Sequence, residues 1–516
     1  MSTAVMPVRV TTAAQAAARD AAAIAAGTPS YSLMHRAGTS AAHAILAHVA
    51  EVRSAGAVVF CGGGNNGGDG WVVAGELARA GCPVSVVEVA APSTDDATRA
   101  KAEALPALAG HAEPRHPAVV VDALLGTGAT GALRDALLPH VDAIAATRAA
   151  GATVVALDLP SGIDATTGAG GRCVRADITL AFGTLKRGHL LRRDECGAIV
   201  CLDIGLGPHA ALDDGAPTLV DAAYVRDAVP PIPADAHKGV RRRLGIVGGG
   251  EGMAGAPMLA ARGAMRSGVG MVQLLVAPSN VPVVQAALPE TMAGRWPVTA
   301  EDQDRVLHWT HCLLLGPGLG RTAMTRALVE RLLVEWKGPV VLDADALNVF
   351  EGEPRMLGSL LGARPAIVTP HPVEAARLLR RDGASVSAER FAVGAELAKQ
   401  LGATVILKGV PTVISAPDGR VAVSASGSPA LGTAGSGDVL AGIVATLLAQ
   451  TGDPFASACS AAWVHGRAGE IAVSEGSVRG TSLEDIVEAL RRAWRLDEPA
   501  HHAAVLTTLP AVGSVR

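Results

Sequence analysis

Short, uninterrupted apolar runs alternate with helix-length stretches along this chain, and that alternation constrains the fold more than any other feature. The runs Ala57–Phe60, Val84–Val89, Ala118–Val121, Thr153–Leu157, Asp177–Ala181 and Ala198–Leu202 are continuous rather than period-two. Strands buried on both faces read this way. Helical segments separate the earlier ones, and Thr11 to Ala26 reads as an Ala-rich helix stopped by Gly27 and Pro29. The result is a βαβ pattern, which predicts a mostly parallel sheet with helices on both faces. The alternation breaks at Tyr224 to Arg243, where Pro230, Pro231 and Pro233 preclude a helix or a central strand. It restarts with Leu244–Val247, Met271–Val276, Cys312–Leu315, Val340–Leu342, Ala366–Val368, Thr404–Leu407, Thr412–Ser415 and Arg420–Val423. Val439 to Gln450 and Leu483 to Arg495 read as helices. Two α/β domains are therefore expected, at 1–225 and 241–500, with a linker at 226–240. A tail at 501–516 lacks a clear period and is expected to be mobile. No short repeat appears, which excludes a solenoid.

The 516 residues suit at least two domains. With 49% hydrophobic and 18% charged residues, each can bury a core. Lys+Arg total 44 and Asp+Glu 48, a balance of −4 that argues against a general nucleic-acid or membrane-surface binder. Mean hydropathy is +0.33, yet no stretch approaches the roughly 18 apolar residues of a membrane span. Val439 to Ala449 comes nearest and is interrupted by Gly442 and Thr446. The N-terminus has no basic segment followed by an apolar run, so no signal peptide is expected. Seven Cys without pattern fit reduced thiols and a cytoplasmic protein.

The first run leads straight into CGGGNNGGDG, residues 61–70, read as a loop entering a helix near Gly70. Glycines let backbone approach a phosphate, and amides at a helix start point at it. Gly62, Gly64 and Gly67 satisfy GxGxxG, and Glu88 ends the next strand, as in a dinucleotide fingerprint. Such a fingerprint leaves Asn65, Asn66 and Asp69 unexplained. Asp122 and Asp158 also lie just past strand ends, before GTGATG and LPSGID. Parallel strands line one crevice with their C-terminal ends, so Asn66, Asp122 and Ser161 could converge as oxygen ligands of a hard cation.

NNGGDG, the loop after Asp122, LDLPSGID and FGTLKRGH (182–189) resemble the NAD(P)H-hydrate epimerase domain over roughly residues 8–225. The resemblance implies a Rossmann-like three-layer fold. It implies that hydrated NAD(P)H is held by Asn65, Asn66, Gly67, Gly68 and Asp69, by the loop Gly126, Thr127, Gly128, Ala129, Thr130, Gly131 and Ala132, and by Asp158. It also implies potassium bound by Asn66, Asp122 and Ser161. Asp158 and Lys186 become the acid–base candidates. His35 stands where the family often has an acidic residue.

The strongest single motif is GTAGSGDVLAG, residues 432–442. Gly435, Ser436 and Gly437 enter a helix read as starting at Asp438, and their amides with the helix dipole make a pocket for an anion that gains charge during reaction. Asp438 can accept a proton from a nearby hydroxyl. The pairing resembles the anion hole and base of ribokinase-like phosphotransferases. Only six of the basic residues are Lys, so Lys408 in KGVPT is a notable cation. Together with GGGEGMAGAP (248–257), GPGLG (316–320), LDADALN (342–348) and TPHPVE (369–374), these motifs resemble ADP-dependent NAD(P)H-hydrate dehydratase over roughly 235–495. Carried over by motif, Ala256, Gly318, His371 and Asp438 would contact the hydrated nucleotide. Lys408, Gly409, Val410, Pro411, Thr412 and Gly437 would bind ADP. Met253 stands where the family usually has an aromatic residue, and Val373 where it usually has Gly.

The two resemblances share one metabolite, which carries a hydroxyl on C6 of the reduced nicotinamide ring. They imply epimerisation of its R and S forms and dehydration of the S form with ADP and magnesium. An Asp with an ordinary pKa of about 3.9 would be ionised for that step. The expected partners are hydrated NADH or NADPH, ADP and further copies of the chain in a homo-oligomer, with neither nucleic acid nor membrane. Three rivals stay open: a ribokinase-like kinase with a regulatory nucleotide-binding domain, an NAD-dependent oxidoreductase using Glu88, and a nucleotide sensor without turnover.

Overall fold

The computed structural model describes residues 7–110, 113–497 and 504–512. They cluster into two compact units, one through Thr218 together with the strand Val505–Leu509, the other from Leu219 onward.

The first unit is a seven-stranded sheet in the order Val505–Leu509, Ala198–Leu202, Ile178–Phe182, Thr153–Leu157, Val119–Ala123, Ala57–Cys61 and Val84–Glu88. The six strands after the first are parallel. Alternate residues bury against opposite layers. Val59, Cys61, Val121 and Leu157 pack with Ile45, Val73 and Leu77, whereas Phe60, Val120 and Val154 pack with Val141 and Ile144. Ala57–Cys61 has the second strand on one side and the third on the other. That reversal opens a ligand crevice at the carboxyl ends of Ala57–Cys61 and Val119–Ala123.

The second unit carries a ten-stranded sheet whose order begins Met292–Arg295, Met271–Val276, Arg243–Val247, Cys312–Leu315, Val340–Leu342, Ala366–Val368, Thr404–Leu407. These run parallel, and the hairpin Thr412–Ser415 and Val421–Ser424 follows antiparallel. Leu244, Ile246, Leu314 and Val341 face the helices Gly255–Arg266, Ser436–Thr451 and Pro454–Ser474. Leu313, Leu315, Leu342 and Val405 face Ala323–Glu335 and Arg390–Leu401. Both sheets are thus covered on two faces, the doubly wound α/β class.

Four readings change. The helix read as starting near Gly70 is Asn65–Arg79, with Gly64 as N-cap, so NNGGDG forms its first turns. Its glycines serve close packing: a Cβ on Gly67 would lie 1.8 Å from the Gly62 carbonyl oxygen, and one on Gly70 2.6 Å from Ala123 Cβ. The helix read as starting at Asp438 starts at Ser436, because Gly435 at φ 91° turns the chain two residues earlier. The helix Ala222–Ala228, capped by Asp221, occupies the first residues of the expected linker. The expected mobile tail contains Val505–Leu509, whose Val-Leu-Thr-Thr-Leu pairs antiparallel along Ala198–Leu202 and covers that edge; the rest of that tail lies partly outside the described residues.

Candidate functional sites at two strand-end crevices

In the first unit, Asp122 lies not past its strand but inside it, next to last in Val119–Ala123, and is fully buried. It accepts the Ser161 N–H at 2.8 Å, the Ser161 hydroxyl at 2.7 Å and the Leu124 N–H at 3.2 Å. Burial pushes its carboxyl up, and these hydrogen bonds from Ser161 and Leu124 pull against the rise. Asn66 donates to the Leu125 carbonyl at 2.8 Å, while its Oδ1 is buried without a hydrogen-bond partner. A buried acceptor left unpaired costs about 1–3 kcal/mol, so it is a natural position for a cation. Gly126 packs on Asn66, with its Cβ position 3.1 Å from Asn66 Cβ. From there Thr127 to Ala132 continue as a partly exposed loop. The structure therefore brings Asn66, Asp122, Ser161 and the start of that loop together. Asn65 instead accepts the Thr94 hydroxyl at 2.8 Å.

Asp158 follows the next strand at φ 61°, a backbone conformation unusual for a non-glycine. Its carboxylate pairs with the Lys186 ammonium, and the Phe182 N–H donates to it at 3.2 Å. Lys186 also donates to the carbonyls of Phe182 (3.0 Å) and Thr184 (3.2 Å). His189 Nδ1 accepts the Lys186 N–H at 3.0 Å, so its Nε2–H donates to the Asp158 carbonyl at 2.5 Å. Burial, then the Lys186 charge, push His189 down to about 4. Gly67 and Gly68 are buried in the helix wall beside Asp69. Two carboxyls join from elsewhere. Asp69 is pushed well up by burial and then by Asp158 and Asp20; Asp20 is raised by burial, Lys186 opposing. Asp20 lies on the helix Ala13–Ala25 and carries no motif, which is why sequence reading missed it. Glu88, the rival fingerprint acid, is held by Lys101 at 2.6 Å.

In the second unit, successive strands deliver GPGLG, Asp343, His371 and Lys408 at their C-terminal ends. Lys408 Nζ lies 2.9 Å from Asp343 Oδ1 and 3.9 Å from Glu374 Oε2. The Thr369 hydroxyl donates to Asp343 Oδ1 at 2.6 Å. Burial works against the Lys408 charge, but the carboxylates of Asp343 and Glu374 outweigh it and raise its pKa. A Cβ on Gly437 would lie 3.3 Å from Lys408 Nζ, which places the ammonium against the anion loop. Asp438, in the first turn of that helix, is raised to about 7 by burial, then Asp343, with Glu374 and Asp345 adding and Lys408 opposing. The ordinary carboxyl expected from sequence is thus corrected: it is poised near neutrality.

His371 caps the helix Pro372–Leu379, its Nδ1 accepting the Val373 N–H at 3.1 Å, while its own N–H donates to Glu374 at 2.8 Å. Burial, then Lys408, lower its pKa. Ala256 Cβ lies 3.0 Å from the Cβ position of Gly318, itself at φ 57°, so those two meet; Met253 packs on the same glycine. Gly409, Val410, Pro411 and Thr412 form the turn after Lys408, tied by the Thr412 hydroxyl to the Gly409 carbonyl at 3.0 Å and by Arg390 to the Pro411 carbonyl at 2.8 Å. Val373 is exposed beside His371. Sequence reading quoted the motifs holding Asp343 and Glu374 without assigning either. The strand-end rule that found Asp122 and Asp158 applies equally to Asp343 after Leu342. It also missed His465, buried with Nε2 3.2 Å from the Ser436 hydroxyl of the anion loop. That histidine is pushed down to about 4, first by burial and then by Lys408.

A glycine-led helix start beside a partly buried ammonium and a carboxyl raised toward neutrality is an arrangement suited to phosphate in an α/β enzyme, and a separate unit carries a second strand-end crevice. Residues 244–492 match the family model described as NAD(P)H-hydrate dehydratase, and residues 30–188 that of the YjeF-related protein N-terminus. The chain is 36% identical over 493 residues to the bifunctional NAD(P)H-hydrate repair enzyme of Moorella thermoacetica, covering 90% of this chain and 92% of that one. It is 32% identical to the same enzyme of Escherichia coli, covering 90% of each. A crystal structure of the ADP/ATP-dependent NAD(P)H-hydrate dehydratase of Bacillus subtilis, co-crystallised with ATP/Mg2+, aligns with a TM-score of 0.47 at 28% identity, over 54% of this chain and 99% of that one. The chain belongs to the bifunctional NAD(P)H-hydrate repair enzyme family.

Proposed function

We propose that this protein repairs hydrated NADH and NADPH. The first unit interconverts the R and S hydrates, and the ribokinase-like second unit dehydrates the S form with ADP, giving AMP, phosphate and NAD(P)H. The epimerase domain is assigned to 1–225 and the dehydratase domain to 241–500. The observation that carries this reading is the Lys408 ammonium, 2.9 Å from Asp343 and set against Gly437 at the start of the helix whose first turn holds Asp438.

Hydroxide leaves poorly and phosphate leaves well. Asp438 takes the proton of the C6 hydroxyl, whose oxygen attacks the β-phosphorus of ADP and displaces AMP. The Gly435–Gly437 amides and Lys408 face the transferring group, with Gly409, Val410, Pro411 and Thr412 along the nucleotide. The ring nitrogen then expels phosphate, and loss of a C5 proton restores the double bond. Ala256, Gly318 and His371 hold the hydrated ring. A base near pKa 7 is ionised often enough at neutral pH and still drives proton transfer. Magnesium enters this reading with the diphosphate, whose charge it would neutralise; among the described residues no three acidic, histidine or cysteine side chains group to hold a metal by themselves.

In the first unit, Asn65 to Asp69, the loop Gly126 to Ala132 and Asp158 line the hydrate site, with Asp158, and Lys186 bound to its carboxylate, as the acid–base candidates. Potassium fits Asn66, Asp122 and Ser161: the donors are all oxygen, and the unpaired Asn66 Oδ1 is buried among them. When bound it supplies fixed positive charge at the crevice. Seven free cysteines fit a reducing, cytoplasmic setting. Among the described residues no helix is long and apolar enough to cross a membrane. A homo-oligomeric state is part of the same reading.

The test is to incubate the purified chain with the S hydrate and ADP. Return of the reduced-nicotinamide absorbance with stoichiometric AMP and phosphate supports the reading. A stable phosphorylated product would identify a kinase instead.

A further inference from the structure

Resting on the epimerase reading above, we propose that Asp69 and Asp158 are the proton-transfer pair of epimerisation, Asp69 serving the ring nitrogen and Asp158 the C6 hydroxyl, while Lys186 is a positioning residue.

An ammonium has three N–H donors. Those of Lys186 go to Asp158 Oδ1, the Phe182 carbonyl and the Thr184 carbonyl, and the residue is 2% exposed. It has no donor left for substrate. What it does is hold one carboxylate oxygen of Asp158, whose other oxygen accepts no hydrogen bond among the described residues. His189 fixes the Asp158 backbone from the other side and stays neutral at working pH, so it shuttles no proton there.

Asp69 contrasts with this tied-down arrangement. It is 9% exposed, and its carboxyl has no hydrogen-bond partner among the described residues. Its oxygens are not among the sealed, unpartnered atoms, so they remain reachable. A carboxyl kept this dry without a partner is expensive unless it is protonated. Burial, Asp158 and Asp20 all push it that way, and Lys186 pulls back. The other charged groups on elements around its helix are engaged elsewhere. Arg36 packs on Gly205, His35 lies by Tyr31 and Thr39, Lys101 pairs with Glu88, Glu103 with Arg99, and Asp122 with Ser161. Two neighbouring carboxyls in opposed environments, one held by an ammonium and one unpartnered, divide base from acid.

The chemistry balances. C6 of the hydrate bears both the hydroxyl and the ring nitrogen, so it is a carbinolamine. Asp158 removes the hydroxyl proton, the C=O bond forms, the C6–N bond breaks, and the nitrogen takes the Asp69 proton. One proton is taken and one given, with no change in oxidation state. The freed aldehyde turns its other face, the nitrogen adds back and returns its proton to Asp69, and Asp158 gives its proton to the C6 oxygen.

The experiment measures R-to-S conversion by the full chain across pH, by chiral separation. The wild type should lose rate at high pH, where the acid is deprotonated. Asp69→Asn should slow conversion about 10²–10⁴-fold and abolish that high-pH fall, while Lys186→Met slows conversion and keeps the fall. Native-state hydrogen exchange along the first unit's strands in the same preparations reports that the variants are folded there. A full rate in Asp69→Asn, or a high-pH fall that disappears in Lys186→Met and persists in Asp69→Asn, overturns the proposal. Wild-type conversion in ¹⁸O water needs no variant: retained hydroxyl oxygen supports ring opening, and solvent oxygen entering at every turnover overturns it. A wild-type chain that does not epimerise removes the functional reading as well.

Discussion

Lys408 reaches Asp343 at 2.9 Å while lying against Gly437, so one ion pair with a buried carboxylate sets the charge at the anion loop. Asp343 is 2% exposed and has no solvent to fall back on. Breaking such a pair by removing one partner costs about 3–5 kcal/mol. Asp343→Ala should therefore lower thermal stability markedly. It should also weaken ADP binding, because Lys408 loses its anchor. Calorimetric melting and nucleotide titration check both; an unchanged melting temperature and affinity would contradict the assignment.

The dehydratase should gain rate as pH rises through about 7, because Asp438 must be ionised to take the hydroxyl proton. Asp343 is the largest charge raising that carboxyl, so Asp343→Asn should move the rise to lower pH. The measurement is the pH profile of kcat for the S hydrate. A flat profile between pH 5 and 9 in the wild type would contradict it.

Asp438→Asn should lose about 10²–10⁴ in turnover and gain stability. The sign follows from linkage. The folded pKa of about 7 exceeds the unfolded value of about 3.9, so the native state binds the proton more tightly. Stability then falls as pH rises from the unfolded to the folded pKa, and the deficit is complete above about 7. A neutral side chain removes that deficit, so the variant should melt higher than wild type at pH 8 and differ little at pH 4. Equal melting at both pH values would show that Asp438 is not destabilised in the fold.

Asn66→Ala removes an acceptor that has no protein partner. If potassium satisfies it, wild-type melting should rise in potassium more than in equimolar sodium, and the variant should lose that difference. Its epimerisation should need at least about tenfold more potassium, the size of effect that losing one ligand-shell interaction typically has. The same potassium response in both proteins would count against the cation site.

Gly67→Ala would place a methyl 1.8 Å from the Gly62 carbonyl oxygen, backbone against backbone. Neither element can yield without displacing the helix start that carries Asn66 and Asp69. Overpacking of this kind costs about 1–3 kcal/mol or more, and epimerisation should fall with stability while S-hydrate dehydration persists.

Much of the framework was readable because buried parallel strands announce themselves. Cys312–Leu315, Val340–Leu342 and Ala366–Val368 are each a continuous apolar run with a turn residue or a charge nearby. Pro454–Ser474 was not readable, because it is apolar around most of its circumference: Ala458, Cys459, Ala461, Ala462, Val464 and Ala468 are all buried, which erases the 3.6-residue period. The NNGGDG segment misled about helix onset, since its glycines are there for tight contact with Gly62 and Ala123, a tertiary demand that local propensity does not register. Asp122 and Ser161 could be placed together from the parallel-sheet rule alone, and they are, at 2.7 Å. The upward shift of Asp438 was not legible, because it arises from Asp343 and Glu374 on other strands and from burial that only the folded chain creates.

The most direct test of the account follows the oxygen. Hydrate carrying ¹⁸O at the C6 hydroxyl, turned over with ADP by the wild-type chain, should deliver the label into the released phosphate, because that oxygen attacks phosphorus before its bond to C6 breaks. Label found in water, with unlabelled phosphate, would mean that no phosphoryl group was ever passed to the hydrate, and the roles given to Asp438 and its anion loop would be wrong.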